Sequence, residues 1–88
     1  MPRFLVRREL GDISDADLDA AAERATAVRL AHHPDLDWEH THVVRTASGR
    51  TAFCVYRGPD AESVRAHAAA AGLPADEVSE IERDLLPV

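Results

Sequence analysis

The stretch LDWEHTHVVRTASGRTAFCVYRGPD, residues 36–60, sets the topology of the chain. Its two arms, residues 36–46 and 51–56, are rich in β-branched and aromatic side chains, and a turn signal at residues 47–50 separates them. A Gly-Pro-Asp sequence then ends the second arm, and Asp60 is a suitable N-cap for a helix. The stretch therefore predicts a β-hairpin that leads directly into a helix.

The residues after the hairpin predict a helix and a last strand. Apolar residues recur at helical spacing over residues 61–71, and Gly72 is suited to the position just beyond a helix end. Residues 78–85 alternate weakly between apolar and charged side chains, which predicts a strand.

The residues before the hairpin predict a strand and a helix. Residues 3–9 contain three consecutive apolar side chains, at positions 4–6, and are predicted as the first strand. Ser14 follows as an N-cap, and Pro34 disfavours helical geometry at His33, so the first helix should end near His32.

The resulting order, β-α-β-β-α-β, predicts an α+β ferredoxin-like fold: a four-stranded antiparallel sheet with two helices on one face. We expect residues 1–88 to form a single domain. The other sheet face would carry apolar residues, and a chain of 88 residues is marginally stable alone. Both arguments predict a homodimer, in which two sheets form a dimeric α/β barrel.

Composition excludes several classes of partner. Sixteen acidic and ten basic residues give a net charge of −6, and the arginines are scattered, which argues against nucleic acid. One cysteine cannot form an internal disulfide, and the Met-Pro-Arg start does not resemble a signal peptide. No apolar stretch is long enough to span a membrane. We therefore predict a cytoplasmic protein.

The chemistry-bearing residues are Cys54 and the five histidines, because phosphate-binding loops, nucleophile elbows and paired cysteines are absent from the sequence. His40 and His42 lie two apart in a strand and should project from the same face. A three-residue turn would place His42 opposite Cys54, whereas a two-residue turn would pair Val43 with Cys54 and send both histidines to the other face. The sequence leaves both registers open.

His67 lies beside the apolar stripe of the second helix and can aim at the sheet if Cys54 faces the helices. A thiolate with imidazoles suits zinc, copper or nickel, and square-planar nitrogen and sulfur coordination suits nickel. The simpler interpretation of these residues is structural: Cys54 packs in the core as a small hydrophobe, His67 is hydrogen-bonded, and His40 and His42 are exposed to solvent.

The motif CVYRGPD at residues 54–60, followed by HA at 67–68 and GLP at 72–74, resembles the signature of a family of small bacterial domains. This family, formerly of unknown function, includes a streptomycete nickel-binding protein. Arg8 and Leu10 in the first strand and Trp38 in the second extend the resemblance over nearly the whole chain.

The resemblance implies a ferredoxin-like dimer that binds nickel in at least one member, with Cys54, Tyr56 and His67 at or near the site. Arg7 stands where the family often has an acidic residue, which leaves Glu9 as the nearest substitute for a carboxylate ligand.

The leading hypothesis is a non-enzymatic metal-binding protein that sequesters or delivers nickel. Its predicted ligands are Cys54, His67, His42 and His40, with Tyr56 and Glu9 nearby. One alternative is a dimeric α+β barrel enzyme, of the cofactor-free monooxygenase or isomerase type, with His67 as acid or base in a pocket between sheet and helices. Another is a ligand-binding or stress module.

Overall fold

The structure, a computed structural model, describes residues 1–87. Its elements are β1 (Arg3–Gly11), α1 (Asp15–His32), β2 (Asp37–Thr46), β3 (Gly49–Arg57), α2 (Ala61–Ala70) and β4 (Glu77–Glu80). The strands form one sheet in the order β2-β3-β1-β4, and all neighbouring strands are antiparallel. This confirms the predicted α+β ferredoxin-like arrangement. Within residues 1–87, neither helix is long and apolar enough to cross a membrane.

Both helices begin where short polar side chains cap them. The Ser14 hydroxyl accepts a hydrogen bond from the Asp17 N–H at 3.1 Å, and the Asp60 carboxylate accepts one from the Ser63 N–H at 2.8 Å. Each cap satisfies a main-chain donor that the first helical turn leaves without a partner. The first helix ends at His32, as predicted.

The helices pack on one face of the sheet, which we call the helix face. Its core includes Phe4 and Val6 from β1, Cys54 and Tyr56 from β3, and Val64 from α2, all buried. These residues alternate along their strands with side chains on the opposite face, as strand geometry requires. The apolar residues of β1 and β3 are thus divided between two faces.

Neither α1 nor α2 packs against the opposite face, which we call the open face. Along β1 it presents Leu5, which is 38% exposed, and along β2 it presents Val44, which is 40% exposed. Phe53 and Val55 of β3 lie between these two strands. The centre of the open face is therefore apolar, as the sequence predicted.

The last strand is shorter than predicted. It covers Glu77–Glu80, whereas the sequence predicted a strand over residues 78–85. The Ile81 N–H still donates to the Arg3 carbonyl oxygen at 2.8 Å, but Arg3 is the first residue of β1. Residues 82–87 have no strand beside them to pair with in the part of the chain that the structure describes, so the alternating pattern does not continue as a strand there.

The hairpin has a two-residue turn, at Ala47 and Ser48, with Thr46 paired to Gly49. This register places Thr41 opposite Cys54, so neither of the two pairings considered from the sequence occurs. His40 and His42 nevertheless project from the opposite face of the sheet to Cys54, as they would in the two-residue alternative. The turn lies one residue earlier than in that alternative, which shifts the pairing of the two strands by two residues.

Candidate functional site

The open face carries a pair of histidines. His40 and His42 are both exposed on β2, and their ring centroids lie 5.1 Å apart at an interplanar angle of 71°. A two-residue step along a strand returns to the same face, which is why the two rings are neighbours. Metal–imidazole bonds are about 2.0–2.1 Å long, so rings at this separation can reach one ion together.

Apolar and ion-paired side chains surround this histidine pair. Val55 lies opposite His40 and Phe53 lies opposite His42 on the neighbouring strand. Glu39, next to His40, accepts hydrogen bonds from Arg3 at 2.9 Å and 3.2 Å, and Arg3 holds the pKa of the Glu39 carboxyl below its usual range. This carboxylate is thus already neutralised by an arginine.

Glu9, predicted as a substitute carboxylate near the site, lies on β1, two strands away from the histidines. One carboxylate oxygen accepts from Arg7 at 2.7 Å and the other from the Thr51 hydroxyl at 3.1 Å. Glu9 is therefore engaged within β1 and β3 rather than directed toward His40 or His42.

The helix face holds a second group of polar side chains, around Cys54 and Tyr56. Both are buried, and burial raises the pKa of the Tyr56 hydroxyl. Arg8 lies beside them and is only 2% exposed. Its guanidinium donates to the Pro74 carbonyl oxygen at 2.6 Å and to the Tyr56 hydroxyl oxygen at 3.5 Å, and its Cζ lies 5.9 Å from the Tyr56 ring centroid.

His67 is 1% exposed and lies between the two helices and the sheet. Its Nε2 is 2.9 Å from the Ala25 carbonyl oxygen, so Nε2 carries the proton and donates it. Its Nδ1 has no hydrogen-bond partner within residues 1–87. Burial lowers the pKa of the His67 imidazole, which keeps the ring neutral at pH 7 with a lone pair on Nδ1.

Two aromatic rings flank His67. The Tyr56 ring centroid lies 5.7 Å away and the His33 ring centroid 5.6 Å away. His67 is on the same side of the sheet as Cys54, as expected if Cys54 faces the helices. It packs near Tyr56, which lies two residues after Cys54 on β3.

An apolar cavity of about 60 Å³ separates α1 from the helix face. Its walls are mainly alanine and leucine side chains of α1 together with Trp38 of β2. Cys54 and Tyr56 form part of the floor, and among residues 1–87 Arg8 is the one charged residue that lines the cavity. The cavity therefore combines apolar walls with a single buried cation.

The predicted ligands divide between the two faces of the sheet. His40 and His42 lie together on the open face, whereas Cys54 and His67 lie on the helix face. Among residues 1–87, no three or more histidine, cysteine or acidic side chains are placed to hold one metal ion. One chain therefore offers the histidine pair but no complete set.

Two features of the structure were not predicted from the sequence: the buried position of Arg8 and the position of His33 beside His67. The signal for Arg8 was present, because it continues the two-residue alternation of Phe4 and Val6 and so points to the same face. No comparable local pattern places His33, which is the C-cap of α1 and meets His67 only through tertiary packing.

The fold and these two groups of residues define a small ferredoxin-like protein with an exposed histidine pair and an apolar cavity lined by a buried arginine. Residues 4–81 match the family described as nickel responsive protein, SCO4226-like, and the chain belongs to this family. This confirms the resemblance found in the sequence motif.

Among solved structures, the chain is similar to SCO4226 from Streptomyces coelicolor A3(2). The two share 28% sequence identity with a TM-score of 0.78, and the match covers 94% of this chain and 99% of that chain. No curated protein matches the sequence.

Proposed function

We propose that this protein binds nickel without catalysing a reaction, and that it sequesters or delivers the ion. The observation that carries the proposal is the pair of exposed imidazoles of His40 and His42, 5.1 Å apart on the open face. Imidazole nitrogen suits nickel, zinc and copper, and membership of a nickel-responsive family favours nickel among them.

A second copy of the chain completes the coordination in this proposal. Two imidazoles leave coordination positions open, and a two-fold axis through the open face would bring two identical pairs together. The apolar centre of this face, with Leu5 and Val44 partly exposed, supports such a contact. Arg3 is already paired with Glu39 and Arg7 with Glu9, so these two carboxylates would each keep a cation beside them when a second copy covers them.

The helix face offers a competing site, with Cys54 and His67 as ligands. The unpartnered Nδ1 of His67 and the buried thiol are suitable donors for nickel. Arg8, however, lines the same cavity as Cys54, and its positive charge opposes a metal cation there. We therefore favour the open face as the nickel site.

Calorimetric titration of nickel into the purified protein tests the proposal and separates the two sites. His40→Ala and His42→Ala should each weaken nickel binding by at least about tenfold. Even residues that only hydrogen-bond to a metal ligand contribute about 10–100-fold to metal affinity. Binding should saturate at one ion for every two chains. Cys54→Ser should leave the affinity unchanged.

His32→Ala is the matched control, because His32 is an exposed histidine at the end of α1, away from the open face. Its nickel affinity should equal that of the unaltered protein. If Cys54→Ser or His67→Gln removes binding while His40→Ala and His42→Ala retain it, the ion binds at the helix face and the open-face proposal is wrong. Absence of any nickel binding would reject both sites.

A further inference from the structure

Arg8 is a buried cation that lacks an anionic partner. It is 2% exposed, and it forms no salt bridge with any of residues 1–87. The two protein acceptors that it contacts, the Pro74 carbonyl and the Tyr56 hydroxyl, are both uncharged. Buried charges in proteins are normally paired, because removing an ion from water is costly.

The space in front of Arg8 is shaped for a small molecule with an apolar body. The cavity of about 60 Å³ is roughly four to six times the 10–15 Å³ that one water requires, which leaves room for about four to six non-hydrogen atoms. Leu10, Leu18 and Ala22 are among its apolar walls. An apolar chain could occupy this space, with its polar end at the guanidinium.

We propose that this cavity binds a small monocarboxylate, held at its charged end by Arg8 and along its chain by the apolar walls. The planar guanidinium has five N–H donors in a fork that matches a carboxylate. The Tyr56 oxygen accepts from Arg8, so its own proton is free to be donated to the same ligand. The ligand would supply the counter-charge that residues 1–87 do not.

Other ligands fit these features less well. A metal cation would be repelled by Arg8, and inorganic phosphate would need more donors than the largely apolar walls provide. The site is on the opposite side of the sheet from His40 and His42, so it does not depend on the proposed nickel site.

Butyrate, with six non-hydrogen atoms, is the probe, and butyramide is its uncharged counterpart of similar shape. Binding is measured by calorimetry, and amide chemical-shift changes in NMR spectra locate the site. Butyrate should shift signals of Arg8, Ala21 and Ala22, and butyramide should bind at least about tenfold more weakly, because hydrogen bonds to charged groups are the stronger kind.

Two variants test the role of the cavity. Arg8→Gln should weaken butyrate binding at least about tenfold. Ala22→Leu should do the same by filling the cavity while retaining Arg8, and it covers the case in which Arg8→Gln does not fold. Arg7→Gln is the control, since this half-buried arginine lies on the open face, and it should bind butyrate unchanged.

Equal affinity for butyrate and butyramide would overturn the proposal, because Arg8 would then not be recognising charge. So would chemical-shift changes confined to residues outside the cavity, or undiminished butyrate binding by Ala22→Leu. The same holds if butyrate causes no shift at all in the folded protein.

Discussion

The Nε2 atom of His67 lies 2.9 Å from the main-chain oxygen of Ala25, and this hydrogen bond joins α2 to α1. Because Nε2 donates, the neutral ring keeps a lone pair on Nδ1, which has no donor beside it within residues 1–87. Protonation would place a proton on Nδ1 in a buried position without an acceptor. The fold therefore favours the neutral form of His67.

We predict that stability falls as the pH is lowered through the range in which this histidine protonates. Burial lowers the pKa of His67 in the folded protein below that of an unfolded histidine, about 6.5. Its contribution is thus complete above about pH 6.5 and is lost as the pH falls toward the folded pKa, because the unfolded chain binds the proton more readily. Thermal unfolding between pH 8 and pH 5 measures the effect.

The variant His67→Gln cannot titrate and should show a smaller loss of stability over the same pH range. His32→Gln is the control, since His32 is exposed at the end of α1, and its pH dependence should match that of the unaltered protein. An unchanged pH dependence in His67→Gln would show that other groups cause the loss.

Gly49, the first residue of β3, passes very close to the end of β1. A Cβ atom at this position would lie 2.5 Å from the Gly11 carbonyl oxygen, and the backbone has a φ of +118°. We expect Gly49→Ala to destabilise the protein by more than about 2 kcal/mol, since strain in such a conformation alone costs about 1–3 kcal/mol. Urea unfolding measures the change.

Gly11→Ala is the matched control. Gly11 also has a positive φ, +61°, but a Cβ there would meet no atom within 4 Å. It should therefore show only the conformational cost, about 1–2 kcal/mol, without the clash. Equal destabilisation by the two substitutions would mean that β1 and β3 can separate at little cost.

The helix limits could be predicted because their causes are local in the sequence. Ser14 and Asp60 cap the first turns with their own side chains, and Pro34 acts on the residue before it. The length of β4 has a non-local cause, namely that β1 begins at Arg3. A pattern of alternating residues cannot show where a partner strand ends.

The candidate site was predicted only in part, because some of its features have local causes in the sequence and others depend on tertiary contacts. The two-residue spacing of His40 and His42 was enough to place them on one face. Their separation from Cys54 depended on the position of the turn, which pairs Thr46 with Gly49 and sets Gly49 close to Gly11 of β1. The proximity of His33 to His67 likewise arises only when the helices pack.

Leu5 tests whether two copies of the chain meet through the open face. It is 38% exposed at the centre of that face, between Val55 of β3 and Ser79 of β4. In the proposed dimer Leu5→Asp would lose the burial of the 38% of each leucine that is still exposed, worth about 0.6–1.1 kcal/mol each, and would bury two carboxylates, which costs far more. The dissociation constant of the dimer should therefore rise by more than about hundredfold.

Analytical ultracentrifugation measures this change, and Leu30→Asp is the control. Leu30 is 65% exposed on α1, on the other side of the molecule, so its substitution should leave the association unchanged. Because the proposed nickel site needs histidines from both chains, Leu5→Asp should also weaken nickel binding although it alters neither His40 nor His42. A Leu5→Asp protein that remains dimeric would place the contact between chains elsewhere, and full nickel affinity in a monomeric variant would show that one histidine pair is sufficient.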